Sequence, residues 1–265
     1  MSAELVAAAA TCVCIPNGEI NGWGVDVWRM DQTAVDAVIL AYEALLLGGI
    51  GTAGPAHPVE AMLQSRGIPL RDLLIDAPRS SAIITRADFS ELAAVSSLIA
   101  EEDWPIDQTH MPNVPKGSRK KSESGIDAMA AELDATGPDA ELTDDDLLML
   151  ASVKHTLAAK TATLRTNLLA SVTTELTMPY LVQQIRVFAG ALEKAGVVGT
   201  TRPFLHLNDF PQPERVTVHA VAVVDSSVAD KFINSLSSLP AAPTASHRFR
   251  VICVPELATI HNRCP

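Results

Sequence analysis

Apolar residues recur at two different spacings along this chain, and the change from one to the other marks where strands give way to helices. Two strand-like runs, ATCVCIPN and WGVDVWRM, lead into a helix-period stretch at 33–47 that Gly48-Gly49 closes as a stop signal. The Gly- and Pro-containing loop GGIGTAGPAHP and a short helix at 59–66 come next, and LLIDAPRSSAIIT then precedes a clear helix, DFSELAAVSSLIAEED. The run MPNVPKGSRKKSESG has the composition of a loop. Two apolar runs of strand length follow, IDAMAAEL and LLMLASVKHT; Gly137-Pro138-Asp139 and an acidic cluster make the segment between them, TGPDAELTDDD, a turn. Helices are predicted over about 161–170 and 180–194, then strands in RPFLHL, RVTVHAVAVV and RFRVICVPEL, with a helix at 227–239 between the last two. That order predicts an α/β fold, a mixed central β-sheet flanked by helices, with no internal repeat and no interdomain linker.

Composition narrows what such a sheet can serve. At 265 residues with 48% apolar side chains, the chain has ample material for a core and is excluded from global disorder. Only 4% of residues are aromatic, which leaves few stacking platforms for single-stranded nucleic acid. A net charge of −11 argues against sequence-blind coating of DNA, whose affinity comes from Lys and Arg on phosphates, so any nucleic-acid contact has to be local. The longest apolar runs are too short and interrupted to span a bilayer, and no basic residue precedes the first, so the expected compartment is the cytoplasm. Cys12, Cys14, Cys253 and Cys264, with His261, lack the spacing of a zinc finger or ribbon, and reduced cysteines are the simpler reading.

The chemically informative stretch lies between 86 and 184. In the strand LLMLASVKHT, alternation puts Ser152, Lys154 and Thr156 on one face and Val153 and His155 on the other. Lysine is rarely buried unless paired, so a carboxylate should face Lys154; Asp127, in the neighbouring strand, is the candidate. Upstream, Glu91 sits at the edge of a helix packing face marked by Val95 and Leu98. Two carboxylates, Glu91 and Asp127, with the Val153 carbonyl, form a donor set for a hard divalent ion, most naturally Mg²⁺ with Mn²⁺ as substitute. A lysine beside such an ion can orient or deprotonate the attacking water of a phosphodiester hydrolysis.

The order Glu91, then GID with Asp127, then SVK with Lys154 resembles the PD-(D/E)XK nuclease superfamily. The resemblance covers about the middle third of the chain and rests on short, permissive motifs. It implies a restriction-endonuclease-like core over 81–265, preceded by an N-terminal α/β extension over 1–80. It also implies a metal-dependent deoxyribonuclease with Glu91, Asp127, Ser152 and Lys154 as its catalytic positions. One departure stands out: Ser152 occupies the usual Asp or Glu position, and the helix after Lys154 supplies no acidic residue before Glu175, which leaves Glu91 as second carboxylate. In core motif and general length the chain is also similar to the nuclease subunit of Hachiman-type bacterial antiphage systems, which implies a helicase partner with ATPase activity and DNA as substrate.

Supporting features are fewer. Lys116, Arg119, Lys120 and Lys121 put four cations just before Asp127, where a loop could follow a DNA backbone. Gln184, on the helix whose packing face is Leu181, Ile185, Phe188 and Leu192, matches a position from which relatives in the superfamily contact substrate. Structural readings stand beside these: Asp88 and Glu91 fit a capping box, Asp127 fits a strand-opening turn, Lys154 fits a salt bridge and His155 a core histidine. Two further functions stay open, a dimeric type II restriction endonuclease and a catalytically degenerate DNA-binding or scaffold subunit.

Overall fold

The computed structural model describes residues 13–46, 82–100, 109–111, 126–141, 146–157, 161–174, 178–194, 196–200, 216–243 and 247–264. The predicted short helix at 59–66, the strand RPFLHL and the cationic run at 116–121 lie outside these residues. Nine strands and five helices are described: β1 (Val13–Ile20), β2 (Trp23–Arg29), α1 (Gln32–Leu46), α2 (Ala82–Ala100), β3 (Thr109–His110), β4 (Ala128–Glu132), β5 (Gly137–Glu141), β6 (Leu147–Thr156), α3 (Thr161–Thr174), α4 (Met178–Lys194), β7 (Val198–Thr200), β8 (Val216–Asp225), α5 (Ala229–Ser235) and β9 (His247–Val254). Seven strands form one mixed sheet in the order β1-β2-β9-β8-β6-β4-β3, so the α/β reading holds. Its centre is parallel, because β2, β9, β8 and β6 run the same way, while β1, β4 and β3 join antiparallel to their neighbours. The strands from the first 80 residues belong to this same sheet through the β2–β9 pairing.

The central strands are nearly continuous in apolar residues, as expected for a sheet covered on both faces. Alternation divides the core into two layers. On one face Met149, Ala151 and Val153 of β6 and Val221 and Val223 of β8 pack under Phe89, Leu92, Val95 and Leu98 of α2 and Val35, Val38 and Tyr42 of α1. On the other, Leu148 and Leu150 of β6 and Ala220 and Ala222 of β8 pack against Leu164 and Leu168 of α3, Ile185, Phe188 and Leu192 of α4 and Phe232 of α5. The second layer holds an aromatic cluster in which Trp23 meets His247 and Phe249 edge-on, at ring-centroid distances of 5.4 and 5.9 Å.

Several boundaries differ from the sequence expectation, each for a physical reason. The helix predicted from Asp88 begins at Ala82, and Asp88 is therefore interior, where it accepts from the Tyr42 hydroxyl at 3.4 Å; the capping-box reading of Asp88 and Glu91 is overturned. Ile83 and Thr85 disfavour helix locally, and packing of Thr85 and Phe89 into the core outweighs that preference. The acidic turn after Gly137 contains a strand, β5, paired parallel with β7 in a separate two-stranded sheet. The helix expected at 227–239 is three short pieces, 3-10 turns at Ser226–Val228 and Leu236–Ser238 flanking α5. The β1–β2 hairpin turns at Asn21-Gly22, both with positive φ (52° and 84°), the pair of residues that tight hairpins favour. Asn21 Nδ2 also donates to the Leu239 carbonyl at 2.6 Å, which ties the hairpin to the other end of the chain.

Candidate functional site

The strand β6 is longer than its neighbour β4, and the site follows from that difference. Pairing of β4 with β6 begins at Ala128↔Ala151, whereas β6 continues beside β8 as far as Thr156↔Val224. Among the described residues the stretch from Ser152 to Thr156 therefore has a strand on one edge, and past the end of β4 its other edge is met by Asp127. The Asp127 amide donates to the Ala151 carbonyl at 2.9 Å, and its Oδ2 accepts from the Val153 amide at 2.6 Å. Backbone groups of residues two apart in a strand point to the same edge, so the Val153 carbonyl points toward Asp127 as well.

On the face of β6 that carries Leu148 and Leu150, Lys154 Nζ lies 3.5 Å from Asp127 Oδ2 and 3.5 Å from Ser152 Oγ. The Lys154 side chain is 29% exposed and that of Asp127 is 6% exposed. An acid, a hydroxyl and a half-open ammonium thus converge where two central strands part. The expected Asp127–Lys154 partnership is observed, including the adjacency of their strands. These two contacts with described residues both fall on Asp127 Oδ2, and Oδ1 takes part in neither.

Glu91 is buried on α2, in the layer beneath Val153 rather than the layer that Lys154 faces. Among the described residues no group of three or more His, Cys, Asp or Glu side chains comes together as a metal centre. A hard divalent ion fits the remaining donors: one carboxylate with an oxygen outside the lysine contact, a backbone carbonyl directed to the same edge, and water or phosphate oxygens for the rest. Cys253 and Cys264 are buried thiols in opposite layers, and burial pushes them up to about 11 and 12; the two do not share one zinc shell. Gln184 lies within α4, whose buried face includes Ile185, Phe188 and Leu192; His155 is half-buried on β6. Among the described residues no helix is long and apolar enough to cross a membrane.

A second polar cluster escaped the sequence reading. Arg250 of β9 is 1% exposed and grips Asp26 of β2 through three contacts, Nε to Oδ1 at 3.0 Å, Nε to Oδ2 at 3.2 Å and a terminal nitrogen to Oδ2 at 2.8 Å. Its guanidinium also lies 4.9 Å over the Trp28 ring, and its other terminal nitrogen donates to Ser97 Oγ on α2 at 3.3 Å. His219 stands on the same face of β8; burial pushes its pKa down to about 4, Asp26 pulling it up and Arg248 pushing it down. The signal was present: Asp26 in WGVDVW and Arg250 in RFRVICV interrupt apolar strands just as Lys154 does. The sequence matches no family model and no curated protein.

Proposed function

We propose that this chain is a metal-dependent nuclease with a restriction-endonuclease-like core, hydrolysing phosphodiester bonds in DNA as the effector of an antiphage defence system. The reading rests on one observation: Asp127 and Lys154 meet at 3.5 Å where β4 ends and β6 runs on, with the Val153 backbone at the same edge. Mg²⁺, when bound, supplies charge neutralisation on the phosphate and a more acidic water. Asp127 and the Val153 carbonyl would hold the ion, with water or phosphate oxygens completing its shell, since Glu91 lies in the opposite layer. Lys154 orients the attacking water and offers its ammonium to charge developing on the phosphoryl oxygens. The attacking water gives up a proton to solvent as its oxygen forms the new P–O bond, the ester P–O bond breaks, and the leaving oxygen takes a proton from a second water. Ser152 shares the lysine contact and keeps its head over the site.

The net charge of −11 supports delivery to DNA by a partner, of the helicase class, over steering by the chain's own field. A second reading, a scaffold or DNA-binding subunit without catalysis, is favoured by one feature: Asp127 Oδ2 already ties the Val153 amide and pairs with Lys154. Plasmid cleavage in Mg²⁺ or Mn²⁺, with and without the partner helicase, separates the two. Cleavage that disappears in Asp127→Ala and Lys154→Ala is the expected result; cleavage or defence that survives both substitutions refutes catalysis by this site. Discrete fragments from a defined plasmid would indicate a site-specific restriction enzyme.

A further inference from the structure

The backbone of β6 fixes the Asp127 carboxylate, and Lys154 only balances its charge. The Asp127 amide donates to the Ala151 carbonyl at 2.9 Å and its Oδ2 accepts from the Val153 amide at 2.6 Å, so both ends of the residue are held by one strand. Lys154 Nζ stands 3.5 Å from the same Oδ2, beyond the roughly 2.7–2.9 Å of a tight charge-assisted hydrogen bond. The ammonium is equally far, 3.5 Å, from Ser152 Oγ, and its side chain is 29% exposed. It therefore sits loosely between two acceptors with solvent in reach. Lysine is a flexible point charge, with no fork geometry to lose in moving from one acceptor to the other.

A carboxylate that is only 6% exposed is costly to leave without a cation, so one cation has to replace another there. A divalent ion that takes Asp127 and the Val153 carbonyl meets the lysine already present, and two cations on one carboxylate repel each other. We infer that Lys154 is the resident counter-cation of Asp127, displaced when the metal binds, and that Ser152 is the acceptor that keeps the released ammonium at the site. The inference rests on the nuclease reading and on Asp127 as a metal ligand. It gives the serine at the acidic motif position a role of its own. A carboxylate there would hold the lysine in a second ion pair, whereas a neutral hydroxyl binds it more weakly and leaves it available to phosphate. Metal and lysine compete for one carboxylate, so removing the lysine's charge should strengthen metal binding while it removes cleavage.

The test is Mn²⁺ binding to the full chain, followed by isothermal titration at one neutral pH. The wild type is compared with Lys154→Met, which keeps the stem without the charge, with Lys154→Arg, which keeps the charge, and with Ser152→Ala and Asp127→Asn. Expected are binding about tenfold tighter in Lys154→Met, no such gain in Lys154→Arg, and loss of binding in Asp127→Asn. Ser152→Ala should bind about threefold more weakly, because the displaced ammonium loses its second acceptor. Binding that depends on Asp127 but is equal or weaker in Lys154→Met overturns the exchange and leaves the nuclease reading standing. An equal gain in Lys154→Arg overturns it as well, since charge is then not the cause. Unchanged affinity in Ser152→Ala overturns the part given to the serine. Binding indifferent to Asp127, or binding in none of the forms, overturns the metal site itself and the exchange with it. If Lys154→Met melts below the titration temperature, Lys154→Gln carries the same comparison.

Discussion

Two carboxylate–cation pairs sit on one sheet and differ in almost every physical respect. Asp26–Arg250 is at mid-strand, closed by three short contacts, covered by α2 and flanked by Trp28. Asp127–Lys154 is at a strand end, held by one 3.5 Å contact, with its ammonium partly in solvent. Arginine's planar fork locks a geometry, whereas lysine's flexible point charge can be exchanged for another partner. The first pair is built to stay made, while the second can exchange its partner, as the proposed phosphate-handling site requires.

Breaking the two pairs should therefore give opposite results. Replacing Lys154 by Ala is expected to lower metal-dependent cleavage by about 10²–10⁴-fold with a small change in melting temperature, and Asp127→Ala should lose cleavage and also melt earlier, because the buried Val153 amide loses its acceptor. A variant that merely unfolds, or that cleaves normally, would erase the distinction. Arg250→Met should do the reverse, leaving Asp26 facing an apolar replacement at a cost of about 3–5 kcal/mol in urea unfolding. If Arg250→Met is neutral, the pair is a surface-like contact despite its burial.

Acid should sharpen the contrast, because the closed region also contains His219. The folded chain keeps this ring neutral down to about pH 4, while the unfolded chain protonates it below about 6.5. Between those values the unfolded state binds the extra proton, so stability is full above pH 6.5 and falls as pH drops toward 4, by up to about 3 kcal/mol. His219→Leu should flatten that limb of a denaturation-against-pH curve. The smallest effect concerns Asp225, at the end of β8. It caps the following turn through Ser227 and reaches the Ala258 amide at 3.4 Å. Burial raises its pKa, yet the Ser227 hydroxyl and the backbone amides of Ser227, Ala258 and Leu257 outweigh it and hold the carboxyl below its ordinary value. Asp225→Ala should cost about 1 kcal/mol and leave cleavage untouched.

Much of this arrangement is legible in the residues themselves. The strand Leu147–Thr156 has the span its apolar alternation dictates, and a lysine at the end of such a strand demands the carboxylate found beside it. The Asn21-Gly22 hairpin and the Asp26–Arg250 pair carried readable signals as well, one in turn chemistry and one in a charge placed inside an apolar run. The start of α2 was not readable, since Ile83 and Thr85 favour extended backbone when considered alone. Nor was β5, because its sequence GPDAE carries turn residues and its partner β7 lies far along the chain.

The sequence by itself determined which strands are covered on both faces and which charged side chains have to find partners there. Periodicity and the cost of burying charge are local properties of each segment, and they need no knowledge of its neighbours. Only the tertiary structure decided which partner each charge takes and in which layer it does so. Strand order, register and the early end of β4 join residues far apart in the chain. They end the pairing of β4 with β6 at Ala151, where Asp127 takes over the edge, and they put Glu91 in the layer beneath Val153, opposite the face of Lys154.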